Sequence, residues 1–147
     1  MSYWDASAIV PLIVAETESA LVRSWAAREA SIMTWAWTRV EVAAAVERRV
    51  REGSISASRR RDVLARLAQW AEVWDEVTDV LAVRTRAIPL LARHALRAAD
   101  SAQLAAALLV AEADPSAVTF VCLDHRLAEA AEREGFRVLS SSSDKPG

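Results

Sequence analysis

Four acidic residues stand where apolar sequence begins: Asp5 in YWDASAIVPL, Glu41 in TRVEVAAAVERR, Asp100 in LRAADSAQLAAAL and Asp124 in FVCLDHRLAEAAEREGF. An ionised carboxylate in such surroundings costs several kcal/mol unless something compensates it. Lysine offers no compensation, because the sole lysine is Lys145 in the C-terminal SSSSDKPG segment. Acids drawn together would repel one another unless a hard divalent cation with oxygen ligands sat among them. Helix capping is the competing explanation. Thr38 and Glu41 have capping-box spacing, Asp100 and Gln103 are similar, and Asp124 is placed to cap HRLAEAAERE. Asp5 resists this explanation, because Ser7 reads as the better cap for the first helix.

The elements around these acids follow from pattern. A strand over 2–4 leads to a helix from about residue 7, with Pro11 tolerated only in or near its first turn. A helix over 17–28, a strand in SIMTWAW and a helix over 38–52 ended by Gly53 come next. The segment over 58–77 repeats Val63, Leu67, Trp70 and Trp74 at helical spacing, a stripe read as core in preference to a dimer contact. A short strand is expected over 80–83, then helices over 84–94 and 101–113. The end is the clearest: VTFVCLD, HRLAEAAERE, Gly135 and FRVL give strand, helix, cap and strand, a βαβ unit with parallel strands. The fold class is therefore α/β. Asp5 and Asp124 each end a strand and precede a helix, and the crevice beyond the carboxyl ends of parallel strands is where ligands bind.

Composition narrows the function classes. The chain has 147 residues, enough for one ordinary domain, placed at 1–139 with 140–147 as a disordered tail. No apolar run approaches the ~20 residues of a membrane span, and the start lacks a signal peptide's basic region, so the expectation is a soluble, cytoplasmic protein away from membranes. The single Cys122 lies in an apolar run and reads as core, and His94 and His125 as partly exposed residues without a catalytic role. A net charge of −2 argues against holding nucleic acid by bulk charge. Locally the balance differs: seven arginines between Arg48 and Arg66 face only Glu52 and Asp62. Such arginines are a solvated helix face or a phosphate-contacting stripe; Arg48, Arg49, Arg51, Arg59, Arg60 and Arg61 are the RNA-binding candidates. With Gly53, Gly135 and Gly147 as the only glycines, no phosphate loop can be built. A phosphoaspartate receiver would need a lysine near the site, and a haloacid-dehalogenase-type phosphatase an aspartate where Ser7 stands.

The four acidic stretches, in this order, resemble the motifs of the PIN-domain family, particularly the VapC-like toxins of type II toxin–antitoxin pairs. The resemblance spans residues 3–138, including a helical hairpin inserted between the second and third motifs. It implies a three-layer α/β/α PIN-like fold with a central parallel sheet, and Asp5, Glu41, Asp100 and Asp124 as catalytic, metal-binding acids. Ser7 matches a hydroxyl that supports the metal or its water. The implied activity is Mg²⁺- or Mn²⁺-dependent endoribonuclease hydrolysis, with an RNA substrate, a small antitoxin partner and a homodimeric state. Gln103 stands where histidine is frequent and His125 where arginine is common, departures that bear on substrate preference. The alternatives are a PIN nuclease of RNA processing without an antitoxin and a non-catalytic PIN-like interaction module.

Overall fold

The structure is a computed structural model that describes residues 1–141; residues 142–147, most of the expected disordered tail, lie outside it. Among the described residues, one five-stranded sheet contains β1 (Ser2–Trp4), β2 (Ile32–Trp35), β3 (Asp75–Val77), β4 (Thr119–Val121) and β5 (Arg137–Leu139). The order is β3-β2-β1-β4-β5 and every pairing is parallel. Parallel strands require crossovers, which the helices supply: α1 (Ala6–Ile13), α2 (Ser19–Ala27), α3 (Thr38–Arg51), α4 (Ala57–Val73), α5 (Val80–Arg93), α6 (Ala98–Ala111) and α7 (His125–Arg133).

Alternation along β1 divides the core. Tyr3 packs with residues of α5, α6 and α7 on one face, while Trp4 packs with α1 to α4 on the other, and both side chains are fully buried. The chain moves outward from β1 to β3, returns to β4 and moves outward again, so helices cover both faces and the order reverses between β1 and β4. This is the three-layer α/β/α arrangement. Cys122 and the stripe Val63, Leu67 and Trp74 are buried, with Trp70 packed beside them, which makes the α4 stripe core.

Two elements depart from expectation. The strand expected over 80–83 is the first turn of α5, because the Asp79 side chain accepts the Ala82 N–H at 3.0 Å and caps a helix there. The real edge strand is Asp75–Val77, so α4 stops at Val73 instead of continuing to 77. Pro11 sits in the second turn of α1, near the first turn as expected. Elsewhere the shifts are small, but α6 starts three residues early and thereby draws Asp100 into its first turn.

The burial of the α4 stripe predicts that Leu67→Ala destabilises the protein by about 2–5 kcal/mol in urea unfolding, while exposed Arg61→Ala stays within about 0.5 kcal/mol. A Leu67→Ala protein of unchanged stability but altered oligomeric state would instead assign the stripe to an interface.

Candidate active site

The reversal of strand order between β1 and β4 leaves a crevice at the carboxyl ends of the sheet. Asp5 follows β1, and Asp124 stands just beyond β4 and ahead of α7. Glu41 projects from the first turn of α3 and Asp100 from the first turn of α6. All four line one cleft of about 480 Å³, together with Ser7, Glu16, Glu18, Arg48 and Arg49.

Asp5 does cap α1: it accepts the Ser7 N–H at 3.2 Å and the Ser7 hydroxyl at 2.7 Å. The expectation that Ser7 is the cap is corrected, because the helix begins at Ala6. Ser7 Oγ also accepts the Leu123 N–H at 2.9 Å, tying the Asp5 loop to the segment that carries Asp124. Asp124 caps α7 through the Leu127 N–H at 3.0 Å. Asp100 faces the backbone of Arg97, which is the N-cap residue of α6. Glu41 makes no capping box. Trp37 is the N-cap of α3, and the Thr38 hydroxyl instead accepts from Gln103 Nε2 at 2.9 Å and from the Trp35 N–H at 3.4 Å.

Gln103, whose departure from the family pattern pointed to substrate preference, is buried and works behind the cleft. Its carbonyl accepts the Tyr3 hydroxyl at 2.6 Å, and its amide donates to Thr38 and, at 3.3 Å, to Glu41 Oε2. Glu41 Oε1 is buried with no hydrogen-bond partner, so its carboxylate is anchored on one oxygen while the other is left unsatisfied at the edge of the cleft that Glu41 lines.

Electrostatics mark the same acids. Burial pushes Asp5 up to about 6, against the hydrogen bonds from Ser7 and with the charge of Asp100. Burial likewise raises Glu41 to about 7, helped by Asp5 and Asp100 and opposed by the Gln103 hydrogen bond. Asp100 is raised by burial and by Asp124, while Arg97 acts in the opposite direction. Burial also drives the thiol of Cys122, which lies fully buried behind Ser7, far up, so it supplies no thiolate.

A hard divalent cation fits this donor set on two grounds: every candidate ligand is a carboxylate oxygen, and Glu41 Oε1 is a buried acceptor awaiting a positive partner. Among the described residues no group of three or more His, Cys, Asp or Glu side chains is already gathered as a ligand shell. The fit therefore rests on chemistry and on unsatisfied charge.

The remaining nominated residues disperse. Arg48 and Arg49 line the cleft, where Arg49 pairs with Glu16. Arg60 pairs with Glu47 at 2.7 Å, and Arg51, Arg59 and Arg61 are exposed on the α3–α4 hairpin outside the cleft lining. His94, expected to be partly exposed, is buried and meets Glu134 at 2.9 Å. Glu16 and Glu18 were missed; they sit in the polar AETES turn after α1, and acids in a loop beside a helix end were the signal available.

No family model matches the sequence. Two curated relatives in Mycobacterium tuberculosis, Ribonuclease VapC45 of strain CDC 1551 / Oshkosh and Ribonuclease VapC49 of strain ATCC 25618 / H37Rv, are each 34% identical over 149 residues, covering 97% of this chain and 96% of the relative. Among solved structures, FitAcB from Neisseria gonorrhoeae matches the fold with a TM-score of 0.68 at 15% identity, covering 95% of this chain and 96% of that one. Matched over 97% of its length by the two M. tuberculosis relatives, and with its acids lining one cleft at the switch point of a PIN-like sheet, the chain belongs to the VapC ribonucleases of the PIN-domain family.

Proposed function

We propose that this protein is a divalent-metal-dependent endoribonuclease acting as the toxin of a toxin–antitoxin pair. The observation that carries the reading is the convergence of Asp5, Glu41, Asp100 and Asp124, from four separate segments, on one cleft in which three of them are held above their ordinary pKa. The names of the M. tuberculosis relatives support RNA as the substrate.

Asp5, Glu41, Asp100 and Asp124 would hold Mg²⁺ or Mn²⁺, which supplies Lewis acidity to water and positive charge toward a phosphodiester. The protein's own groups do the positioning. Ser7 fixes both oxygens of Asp5, and Gln103 fixes one oxygen of Glu41 while Tyr3 fixes Gln103. Neither candidate nucleophile beside the acids is free: the Ser7 hydroxyl is committed to Asp5 and to Leu123, and burial holds the Cys122 thiol protonated. Water is the attacking group, and products carry 5′-phosphate and 3′-hydroxyl ends.

Purified protein cleaves single-stranded RNA with Mn²⁺, and Asp5→Asn or Asp100→Asn lowers the rate at least ~100-fold, on the order of 3 kcal/mol of transition-state stabilisation. In thermal melts the metal-free variants are more stable than the parent, because a repelling charge is gone, while their gain on adding Mn²⁺ shrinks. An undiminished Mn²⁺ shift in Asp5→Asn, or equal cleavage in excess chelator, would overturn the metal reading.

The pH dependence has a fixed sign. Native Asp5 and Glu41 bind protons more tightly than they do in the unfolded chain, so their stabilising contribution is full below about pH 4 and is lost as pH rises through about 6 and about 7. For Asp5, nearly fully buried, the loss is ~3 kcal/mol. Metal-free melts therefore show stability falling from pH 4.5 to 7.5, and the Mn²⁺-induced gain rising over the same window, since ligands must be deprotonated. A metal-free profile that is flat, or rises, across this window contradicts the burial described.

The partner reading is tested in cells. Expression of the protein alone arrests growth, and co-expression of the small protein encoded beside it restores growth; harmless expression of active enzyme would favour the RNA-processing alternative.

A further inference from the structure

A second cleft, of about 720 Å³, shares Asp100 and Asp124 with the first and is otherwise lined by the end of α5, the α5–α6 connection, the first turn of α6 and the start of α7. Its character is different. The first cleft carries six carboxylates against Arg48 and Arg49, and Arg49 is already neutralised by Glu16. The second adds Arg97, His125 and Arg126 to the two shared acids, and all three are exposed. Among the described residues neither Arg97 nor Arg126 belongs to an ion pair within 4 Å.

An RNA strand is an array of phosphates, and only the phosphate being cut benefits from a cation held by the acids. Its neighbours meet whatever charge flanks the site. In the first cleft that charge is largely negative; in the second, the exposed guanidiniums of Arg97, which also acts on Asp100 at longer range, and of Arg126 lie beside the shared acids. Guanidinium forks match phosphate oxygens in geometry as well as in charge. Leu91 and Leu96 line the same cleft and give unstacked bases an apolar wall.

We propose that the second cleft is the anchoring arm of the RNA site, in which Arg97 and Arg126 hold backbone phosphates of a single strand flanking the cut bond. The inference rests on the ribonuclease reading and adds the path of the substrate: the strand crosses Asp100 and Asp124 from the strongly acidic cleft into the one where two arginines balance the two shared acids. It moves substrate holding from the α3–α4 hairpin, whose Arg51, Arg59, Arg60 and Arg61 line neither cleft, to the junction of α6 and α7.

Steady-state cleavage of a single-stranded RNA 12-mer in Mn²⁺, across a series of KCl concentrations, tests this. Doubly substituted Arg97→Ala/Arg126→Ala should raise KM at least tenfold with kcat within about threefold of the parent. The slope of log kcat/KM against log salt should become shallower by about 1.4, as expected for two lost phosphate contacts on a single strand. Arg97→Lys/Arg126→Lys should recover most of the salt slope, because a point charge still releases counterions. Arg23→Ala/Arg28→Ala, removing the same charge from α2, should leave KM and slope unchanged. A merely structural role would lower the melting temperature without moving the salt slope. An Arg97→Ala/Arg126→Ala protein with parental KM and slope, or an equivalent loss produced by Arg59→Ala/Arg61→Ala instead, overturns the proposal while leaving the ribonuclease reading intact. Parent protein that cleaves no RNA with any divalent metal overturns both.

Discussion

Charge desolvation governs this molecule. Asp5 is 4% exposed at the end of a strand whose other residues are fully buried, and Glu41 and Asp100 are half-buried beside it. Packing alone would never select this arrangement, since each ionised carboxylate loses solvation and gains a like-charged neighbour. The surrounding structure is organised to tolerate it. Backbone and hydroxyl donors cluster on Asp5, an amide is aimed at Glu41, and Arg97 opposes the repulsion at Asp100.

The tolerance is built from the two faces of β1. Tyr3 and Trp4 point in opposite directions, and Tyr3 carries its hydroxyl to Gln103 on α6, while the Trp4 carbonyl accepts the Thr34 hydroxyl from β2. Gln103 then spans to Thr38 and Glu41 on α3. A buried amide satisfied at both ends links elements far apart in sequence, and mismatched packing of either layer would leave it unpaired at a cost of about 1–3 kcal/mol. Position of the acids and packing of the layers are thus one problem with one solution.

Much of this was legible in the sequence. The βαβ unit around Asp124 is written in a short apolar run, a strongly amphipathic helix and Gly135, whose φ of +101° suits a residue without a side chain. The acids stood out because charge interrupts apolar sequence at helix starts. What pattern could not show was the direction of each side chain. Thr38 and Glu41 have the spacing of a capping box, yet the hydroxyl is claimed by Gln103, sixty-five residues away, and Glu41 turns to the cleft. The edge strand Asp75–Val77 was invisible for a related reason: it is short, mostly exposed and follows a helix whose periodicity runs into it. The apolar residues Val80 and Val83 suggested a strand, although their spacing also suits one helical turn, and Asp79 decides between the two. Partners at long separation, which no local window contains, settled Thr38, Glu41 and the edge strand, whereas the start of α5 turned on the local Asp79 cap.

The two outer strands carry a further implication, for solubility. β3 and β5 are three residues each, and Asp75 and Glu76 at one edge and Arg137 at the other are exposed. A flat, uncharged edge would offer its free amides to the same edge of a second molecule and begin a continuous intermolecular sheet. Here a like copy approaching β3 meets two carboxylates with two of its own, and a strand this short offers few hydrogen bonds to offset the repulsion. The sheet that gathers the acids at its centre therefore uses charge again at its margins, where charge disfavours edge-to-edge pairing of copies.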